Sequence, residues 1–417
     1  MSRMGEKVYG LLGRKLGHSW SVPIHQALGC EDYRLIELEP EALGDFLRRK
    51  DIGGLNVTIP YKRDVMAFCD VIDEGAKAIG SVNTLVRRGG KLYGYNTDID
   101  GFLYMLRRAR ISLMGKKVVV LGSGGASLTA QAAAKREGAR EVVVVSRTGP
   151  DNYENLPQRH GDAEVLVNTT PVGMWPDMTG RPVDLSAFPD MEAVADVIYN
   201  PGRTGLLLQT EEGGLRRTGG LSMLVAQAKR AEELFFDRTI PDGDTEKIVA
   251  WLWQDRTNIV LVGMPGCGKT TVGRELARLS GKPLTDLDEE IVHRAGKSIP
   301  DIFREEGEAA FRELEAQVLA DVCARSGQVI ATGGGAVLRV ENRAAMRHTG
   351  RVYFLRRGLE ELPTDGRPLS QKGSLEEMYR VRKPLYSAAA DAVIDNSAAL
   401  EETAALIWRD FCEHSGD

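Results

Sequence analysis

The sequence predicts an α/β protein of more than one domain, and three observations carry that expectation. An apolar run enters a glycine turn and then an alanine-rich helical stretch at KKVVVLGSGGASLTAQAAAKREG (116–138). The same strand, glycine turn and helix order returns at NIVLVGMPGCGKTTVGRELARL (258–279). At 417 residues the chain also exceeds what one hydrophobic core ordinarily organises.

The elements follow in order. KVYGLLG (7–13), LIEL (35–38) and GGLNVTI (53–59) suit strands, with helical spacing between them at Ala42, Phe46 and Leu47. After the first glycine turn and its helix, EVVVVSR (141–147) is a second buried strand, and that βαβ order implies a parallel sheet. EVLVNTT (164–170) and AVADVIY (193–199) continue the alternation, and residues 220–237 suit one helix. DRTIPDGD (237–244) breaks the pattern with Pro, Gly and Asp and marks a domain boundary. EKIVAWLWQ (246–254) reads as a short amphipathic helix, and NIVLVG (258–263) opens a fresh α/β unit.

Composition narrows the class. The chain is 42% hydrophobic and 27% charged, as a soluble globular protein is, and its net charge of −5 argues against nucleic acid as the main partner. No run reaches the length of a membrane span, and the N-terminus lacks a signal-peptide apolar stretch. The five cysteines, at 30, 69, 267, 323 and 412, are scattered and odd in number. They read as reduced thiols, and a cytoplasmic location is expected.

The two glycine loops suit two different phosphate ligands. In the first, Gly122 makes the tight turn after the strand, Ser123 follows, and Gly124 lets the backbone approach a pyrophosphate. Gly125 and Ala126 keep the start of the helix small, and the helix N-terminus favours the anion. The second strand ends in Ser146-Arg147-Thr148 instead of an acidic residue, and an arginine there suits a 2′-phosphate, favouring NADP. The second loop, GMPGCGKT (263–270), fits the pattern G-x-x-x-x-G-K-[ST] between a strand and a helix. Backbone around Gly263, Gly266, Cys267 and Gly268 would wrap the phosphates of ATP, with Thr271 beside them. Lys269 would reach the β- and γ-phosphates and Thr270 would hold Mg2+.

Four upstream stretches, HSWS (18–21), NVTIPYK (56–62), SVNTL (81–85) and YNTDIDG (95–101), each read singly as caps, turns or surface charge. With NTTPVGM (168–174), YNPGRTGLL (199–207) and GLSMLVAQA (220–228) after them, the first 235 residues or so resemble shikimate dehydrogenase. The resemblance implies that Ser19, Ser21, Thr58, Asn83 and Gln227 hydrogen-bond the substrate, with Tyr199 at the same pocket. It makes Lys62 and Asp98 the catalytic pair and brings Gly220 and Met223 to the cofactor. Those residue types suit ketone reduction, since an ammonium can donate the proton and stabilise the developing oxyanion while a carboxylate holds it.

In the second half, DLDEEI (286–291) sets Asp286 and Asp288 alternating along what reads as an extended segment. IFREEGEAAFRELE (302–315), ATGGGAV (331–337), GRPLS (366–370) and RKPLYSAAAD (382–391) follow. In this order residues 257–412 resemble shikimate kinase. The implied roles are Arg312 and Arg382 clamping the substrate carboxylate, Asp288 accepting the hydroxyl proton, and Asp286 facing Mg2+ through water. Gly333, Gly334 and Gly335 would let backbone approach the ring, Glu315 would brace Arg312, and Arg367 would come from a lid onto the transferring phosphate. Departures from the two patterns include Val22, Gln26, Ser123 and Cys267.

Taken together, the expectation is a substrate-binding and catalytic domain over 1–103, a Rossmann-type NADP domain over 104–240 whose last helix returns to the first, a linker or helix over 241–256, and a P-loop kinase domain over 257–417. The product of the first site, shikimate, would be the substrate of the second, so the small-molecule partners are 3-dehydroshikimate and shikimate, with self-association left open. Two other readings stand beside this one: a quinate-type dehydrogenase joined to another small-metabolite kinase, and a nucleotide-binding metabolite sensor. A sensor would have no need of Lys62, Asp98, Lys269 and Asp288.

Overall fold

The computed structural model describes residues 7–17, 19–362 and 375–416. The chain forms two compact units that are discontinuous in sequence. Unit 1 takes in the described residues up to Val172, then Arg181–Tyr199 and Gln209–Val249. Unit 2 takes in Gly173–Gly180, Asn200–Leu208 and the described residues from Ala250 onward.

Unit 1 holds two sheets. The first is built from β1 (Val8–Gly13), β2 (Arg34–Glu37), β3 (Ile52–Val57), β4 (Val71–Ile72), β5 (Thr84–Arg88) and β6 (Lys91–Tyr95), in the order β2-β1-β3-β5-β6-β4. β1 pairs in parallel with β2 and β3, whereas β5 runs antiparallel to β3 and β6. The second sheet contains β7 (Lys117–Leu121), β8 (Glu141–Val145), β9 (Val165–Asn168), β10 (Ala193–Asp196) and β11 (Arg216–Thr218). It is parallel throughout, in the order β11-β10-β9-β7-β8. β7 is central, and its VVVL stretch has no measurable exposure, as a strand covered on both faces requires. Burying each of those side chains contributes about 1.5–3 kcal/mol. Because β7 lies between β9 and β8, the crevice beyond its C-terminal end is the switch point at which such sheets bind ligands.

Helices Asp98–Arg108 and Leu221–Phe236 pack against each other in unit 1. Gly101 permits the close crossing, since a Cβ there would stand 2.5 Å from the carbonyl oxygen of Met223. That crossing brings Gln227 beside the start of the Asp98 helix.

Unit 2 contains β12 (Asn258–Val262), β13 (Leu284–Asp286), β14 (Val329–Ala331), β15 (Gly350–Arg356) and β16 (Ala392–Asp395), all parallel, in the order β13-β14-β12-β15-β16. β12 is the fully buried centre, and the helix Lys269–Ser280 leaves it through the glycine loop.

Two expectations need correcting. Asp286 and Asp288 do not alternate along a strand. Asp286 ends β13 and caps the helix Leu287–Ala295, its carboxylate accepting from the Asp288 N–H at 3.0 Å, so Asp288 sits in the first helical turn. The break expected over 237–244 is also shorter. One helix runs Asp242–Arg256, started by acidic residues that complement its N-terminal dipole and closed by Lys282, whose Nζ meets the carbonyls of Gln254 and Asp255 at 2.5 and 3.3 Å. The division between units falls inside this helix, after Val249. Its Trp253 packs on Phe411 at 4.7 Å between ring centroids, while Trp251 stays exposed. Among the described residues no helix is long and apolar enough to cross a membrane, and all five cysteines are free thiols.

Candidate active sites

In unit 1 the turn after β3 delivers Lys62, and the start of the Asp98–Arg108 helix delivers its partner. Lys62 Nζ donates to Asp98 Oδ2 at 2.6 Å, with both side chains partly open to solvent. The other carboxylate oxygen of Asp98 accepts from Asn83 Nδ2 at 2.9 Å, and the Asp98 N–H is capped by Asn96 Oδ1 at 3.1 Å. Asn83 is itself held, its Oδ1 accepting from the Thr97 N–H at 2.7 Å. Thr97 Oγ1 reaches Gln227 Oε1 at 3.5 Å, which joins the helix Leu221–Phe236 to the pair. Lys62, Asn83, Asp98 and Gln227 are therefore brought into one cluster. Asn96 and Thr97 were not expected there; the Asn-Thr-Asp run is the capping signal that could have found them.

Ser19 and Ser21 bond to each other, Oγ to Oγ, at 3.0 Å, and Thr58 hangs from the Leu12 carbonyl at 2.9 Å beside Gly13. Trp20 lies 5.0 Å from the ring of Tyr199, whose phenol is pushed above its ordinary pKa by burial.

Beyond β7, Gly122 takes φ 104°, and a Cβ there would stand 2.8 Å from Thr169 Oγ1. Ser123, Gly124 and Gly125 are exposed, with no heavy atom within 4 Å of a Cβ on either glycine, and Ala126 is half-buried at the helix start. This backbone fits a pyrophosphate. Ser146 is half-buried after β8, and Arg147 and Thr148 are exposed. The nearby acid, Asp151, is neutralised by its own neighbours. His160 at 2.9 Å, and Arg159 at 2.6 Å, hold its carboxyl below the usual range against the opposing effect of burial. Gly220 is buried against the Val197 carbonyl, and Met223 lies on the helix that crosses Gly101.

In unit 2 a cavity of about 740 Å³ opens over the glycine loop, reaching from Gly266, Gly268 and Lys269 past Asp286 and Asp288 to Arg312, Gly334 and Arg382. Gly263, Gly266 and Gly268 take φ of 150°, 83° and 96°, conformations that favour glycine and let the loop turn tightly. Lys269 Nζ lies 3.0 Å from each of the carbonyls of Gly263 and Met264. Cys267 is fully buried behind the loop, its carbonyl accepting from Asn396 Nδ2 at 2.6 Å. Thr270 Oγ1 donates to Asp286 Oδ2 at 2.6 Å, and Thr271 stands on the cavity rim. A hydroxyl and a carboxylate beside a phosphate loop make a hard-oxygen donor set suited to Mg2+, which takes few protein ligands. Among the described residues no group of three or more His, Cys, Asp or Glu could hold a metal by itself.

At the other end of the cavity, Arg312 Nη1 is held by Glu315 at 2.7 Å and Arg382 Nη1 by the Gly334 carbonyl at 3.1 Å. Burial raises the carboxyl of Glu315, with Arg312 acting in the opposite direction. The triple glycine leaves room for these side chains: a Cβ on Gly335 would stand 2.2 Å from Arg312 Nη1, and one on Gly333 2.9 Å from Asp288 Oδ1, so either would have to shift. Sequence reasoning missed Arg357 and the wall formed by Ser298, Ile299 and Pro300. The Ser298-x-x-Asp301 cap, with the Asp301 N–H donating to Ser298 Oγ at 3.3 Å, was a legible signal for that wall. Arg367 lies outside the described residues.

Comparison with known proteins matches the two halves of the chain separately. Residues 11–85 match the shikimate dehydrogenase substrate binding domain, and residues 265–411 match shikimate kinase. A shikimate dehydrogenase (NADP(+)) of Clostridium beijerinckii is 38% identical over 247 residues, covering 54% of this chain and 91% of the relative. Among solved structures, a chorismate mutase/shikimate 5-dehydrogenase fusion protein from Clostridium acetobutylicum is similar at 36% identity and TM-score 0.57, covering 60% of this chain and 98% of that one. The shikimate 5-dehydrogenase of Thermus thermophilus, solved with NADP(H) and shikimate, is similar at 32% identity and TM-score 0.51, covering 58% and 97%.

Proposed function

Because the chain belongs to the shikimate dehydrogenase family and carries a shikimate kinase domain over residues 265–411, we propose that it performs two consecutive reactions. It reduces 3-dehydroshikimate to shikimate with NADPH and then phosphorylates shikimate with ATP, in the cytoplasm. The observation that supports this reading is that the Lys62–Asp98 pair meets at 2.6 Å in unit 1, while the phosphate loop, Asp288 and the two arginines line one cavity in unit 2.

Bound NADPH supplies the hydride, and bound ATP with Mg2+ supplies the phosphoryl group. Lys62 stabilises the ketone oxygen as it gains charge and donates a proton to it from Nζ, which is later restored from solvent. Asp98 holds the ammonium in line, and Asn83 holds Asp98. Ser19, Ser21, Thr58, Tyr199 and Gln227 bind the ring hydroxyls and carboxylate. The loop Gly122–Ala126 receives the pyrophosphate, with Ser146, Arg147 and Thr148 at the 2′-phosphate, and Gly220 and Met223 complete that side.

In unit 2 Arg312 and Arg382 hold the shikimate carboxylate with Gly333, Gly334 and Gly335 against the ring. Asp288 takes the proton from the attacking hydroxyl. Lys269 meets the charge on the transferring phosphate, and Arg367 is proposed to join it. Thr270 would hold Mg2+, with Asp286 facing it through water. The test is a coupled assay on the full chain with 3-dehydroshikimate, NADPH, ATP and Mg2+. NADPH loss and ADP release are both expected. NADPH loss without ADP release, even with shikimate added, would remove the second half of the reading.

A further inference from the structure

The reducing site extends well behind the groups that would touch substrate. Asn83 Nδ2 faces a carboxylate, which only accepts, and Asn83 Oδ1 faces the Thr97 N–H, which only donates, so the orientation of this amide is fixed. The hydroxyl of Thr84 donates to the same Oδ1 at 3.0 Å. With its hydrogen on Asn83, the nearer partner, Thr84 Oγ1 accepts from Asn56 Nδ2 at 3.2 Å and, at the same distance, from Thr97 Oγ1. That sets Asn56 Oδ1 as an acceptor, and the hydroxyl of Tyr33 donates to it at 2.8 Å. Tyr33, Asn56, Asn83 and Thr84 are all buried.

The far end of the run is anchored too. The Tyr33 ring stacks on the imidazole of His25, with 3.7 Å between centroids and 3° between planes. His25 Nδ1 meets Glu232 Oε1 at 2.5 Å, and both side chains are sealed from solvent. Arg238 stands 3.5 Å from the second oxygen of Glu232. An imidazole and a carboxylate buried together are costly to separate, so this pair is a rigid seat for the tyrosine ring.

We propose that Tyr33, seated on the buried His25–Glu232 pair, is a positioning residue for the reducing site, its hydroxyl starting a one-way run of hydrogen bonds through Asn56, Thr84 and Asn83 that ends on the carboxylate of Asp98 and so orients the group that holds Lys62. Aligned donors polarise one another, and here every donor points toward the carboxylate. The inference rests on the reading of Lys62 and Asp98 as the reducing pair.

The experiment uses the full chain with three test variants and a fourth, Asn83→Asp, for assignment. Tyr33→Phe keeps the stacked ring and removes only the donor. Thr84→Val breaks the run while keeping the shape, and Thr84→Ser restores the hydroxyl. Losing one buried hydrogen bond is worth about fivefold to tenfold. Tyr33→Phe and Thr84→Val should lower kcat for 3-dehydroshikimate by about that factor, with KM for NADPH unchanged and shikimate phosphorylation by the same molecules near wild type, and Thr84→Ser should recover most of the loss. A readout free of any substrate is the Asn83 side-chain amide in NMR, assigned by its disappearance in Asn83→Asp. Its exchange protection should fall in Tyr33→Phe. Wild-type kcat and an unchanged amide in Tyr33→Phe would overturn the inference, as would a Thr84→Ser variant no better than Thr84→Val. If wild type reduces no 3-dehydroshikimate yet the amide loses protection in Tyr33→Phe, the network stands and the proposed reaction falls.

Discussion

Lys62 and Asp98 form a 2.6 Å ion pair whose carboxylate is shared, one oxygen with the lysine and the other with Asn83. In the proposed reaction, removing the ammonium takes away both the proton donor and the charge that meets the oxyanion. Lys62→Ala should therefore lower 3-dehydroshikimate reduction by about 10²–10⁴-fold. Shikimate phosphorylation by the same chain should stay near wild type, because the groups proposed for it all lie in unit 2. Parallel NADPH and ADP assays read both, and full NADPH oxidation in the variant would contradict the assignment.

Cofactor choice is expected to depend on Arg147. Asp151 is already neutralised by Arg159 and His160, which leaves the exposed Arg147 as the charge offered to a 2′-phosphate. Arg147→Glu should raise KM for NADPH much more than for NADH. Steady-state constants for both cofactors decide this, and equal losses would make Arg147 a bystander.

Metal dependence should separate the two activities. Thr270 Oγ1 and Asp286 Oδ2 lie 2.6 Å apart beside the phosphate loop and are the oxygens proposed to face Mg2+, Asp286 through water. Chelation with EDTA should stop phosphorylation and leave NADPH oxidation unchanged. Asp286→Asn should raise the Mg2+ concentration needed for half-maximal kinase rate, measured by titration against ADP release.

Gly335 should be intolerant of even one added carbon. A Cβ there would overlap the guanidinium of Arg312 at 2.2 Å, and Arg312 is pinned by the buried Glu315. Gly335→Ala must therefore push Arg312 off its partner. KM for shikimate should rise about tenfold or more, as expected when a charge-assisted contact is lost, while KM for ATP changes little.

What the sequence revealed, and what it hid, divides by the range of the interaction. β7 and β12 were legible because runs such as VVVL and NIVLV can be satisfied only between two covered faces. The glycine loops were legible because a strand–glycine–helix order is local. The alternation of Asp286 and Asp288 reads as extended, whereas one side-chain-to-backbone bond from Asp286 starts a helix there. Periodicity does not register a single cap. The His25–Glu232 pair joins residues 207 apart in sequence, and neither has a local pattern that announces the other. The membership of Asn200–Leu208 in unit 2 was equally hidden, because it depends on contacts with residues far along the chain.

That segment leads to a prediction about stability and pH. Within unit 2, Arg203 makes a two-pronged ion pair with Asp391 at 2.6 and 3.0 Å, and its Nε donates to the Arg347 carbonyl at 2.8 Å. The second oxygen of Asp391 also accepts from the Val352 N–H at 2.7 Å, and the aspartate side chain is only 8% exposed. Burial alone would raise its carboxyl, but Arg203 and the Val352 N–H outweigh burial and hold it below its ordinary value of 3.8. A carboxyl depressed on folding contributes stability above its unfolded pKa, and that contribution is lost as pH falls through the folded value. In Arg203→Ala only the Val352 N–H and the charge of Arg351 remain to oppose burial, so the folded pKa moves up from its wild-type position and the stability gained from ionisation shrinks. Wild type should therefore exceed Arg203→Ala by roughly 3–5 kcal/mol at neutral pH, the usual cost of orphaning a buried charge. The gap should narrow as pH is lowered toward 4, and Asp391→Asn added to Arg203→Ala should restore part of it at pH 7. The same reasoning applies to a chain cut at residue 243. The kinase-bearing fragment would keep Asp391 and lose Arg203, so it should melt below the intact unit and gain from Asp391→Asn. Thermal melts of unit 2 followed through the ring pair Trp253–Phe411 from pH 4 to 8 measure all of these. A gap that stays constant with pH would show that Arg203 acts through packing and not through the charge of Asp391.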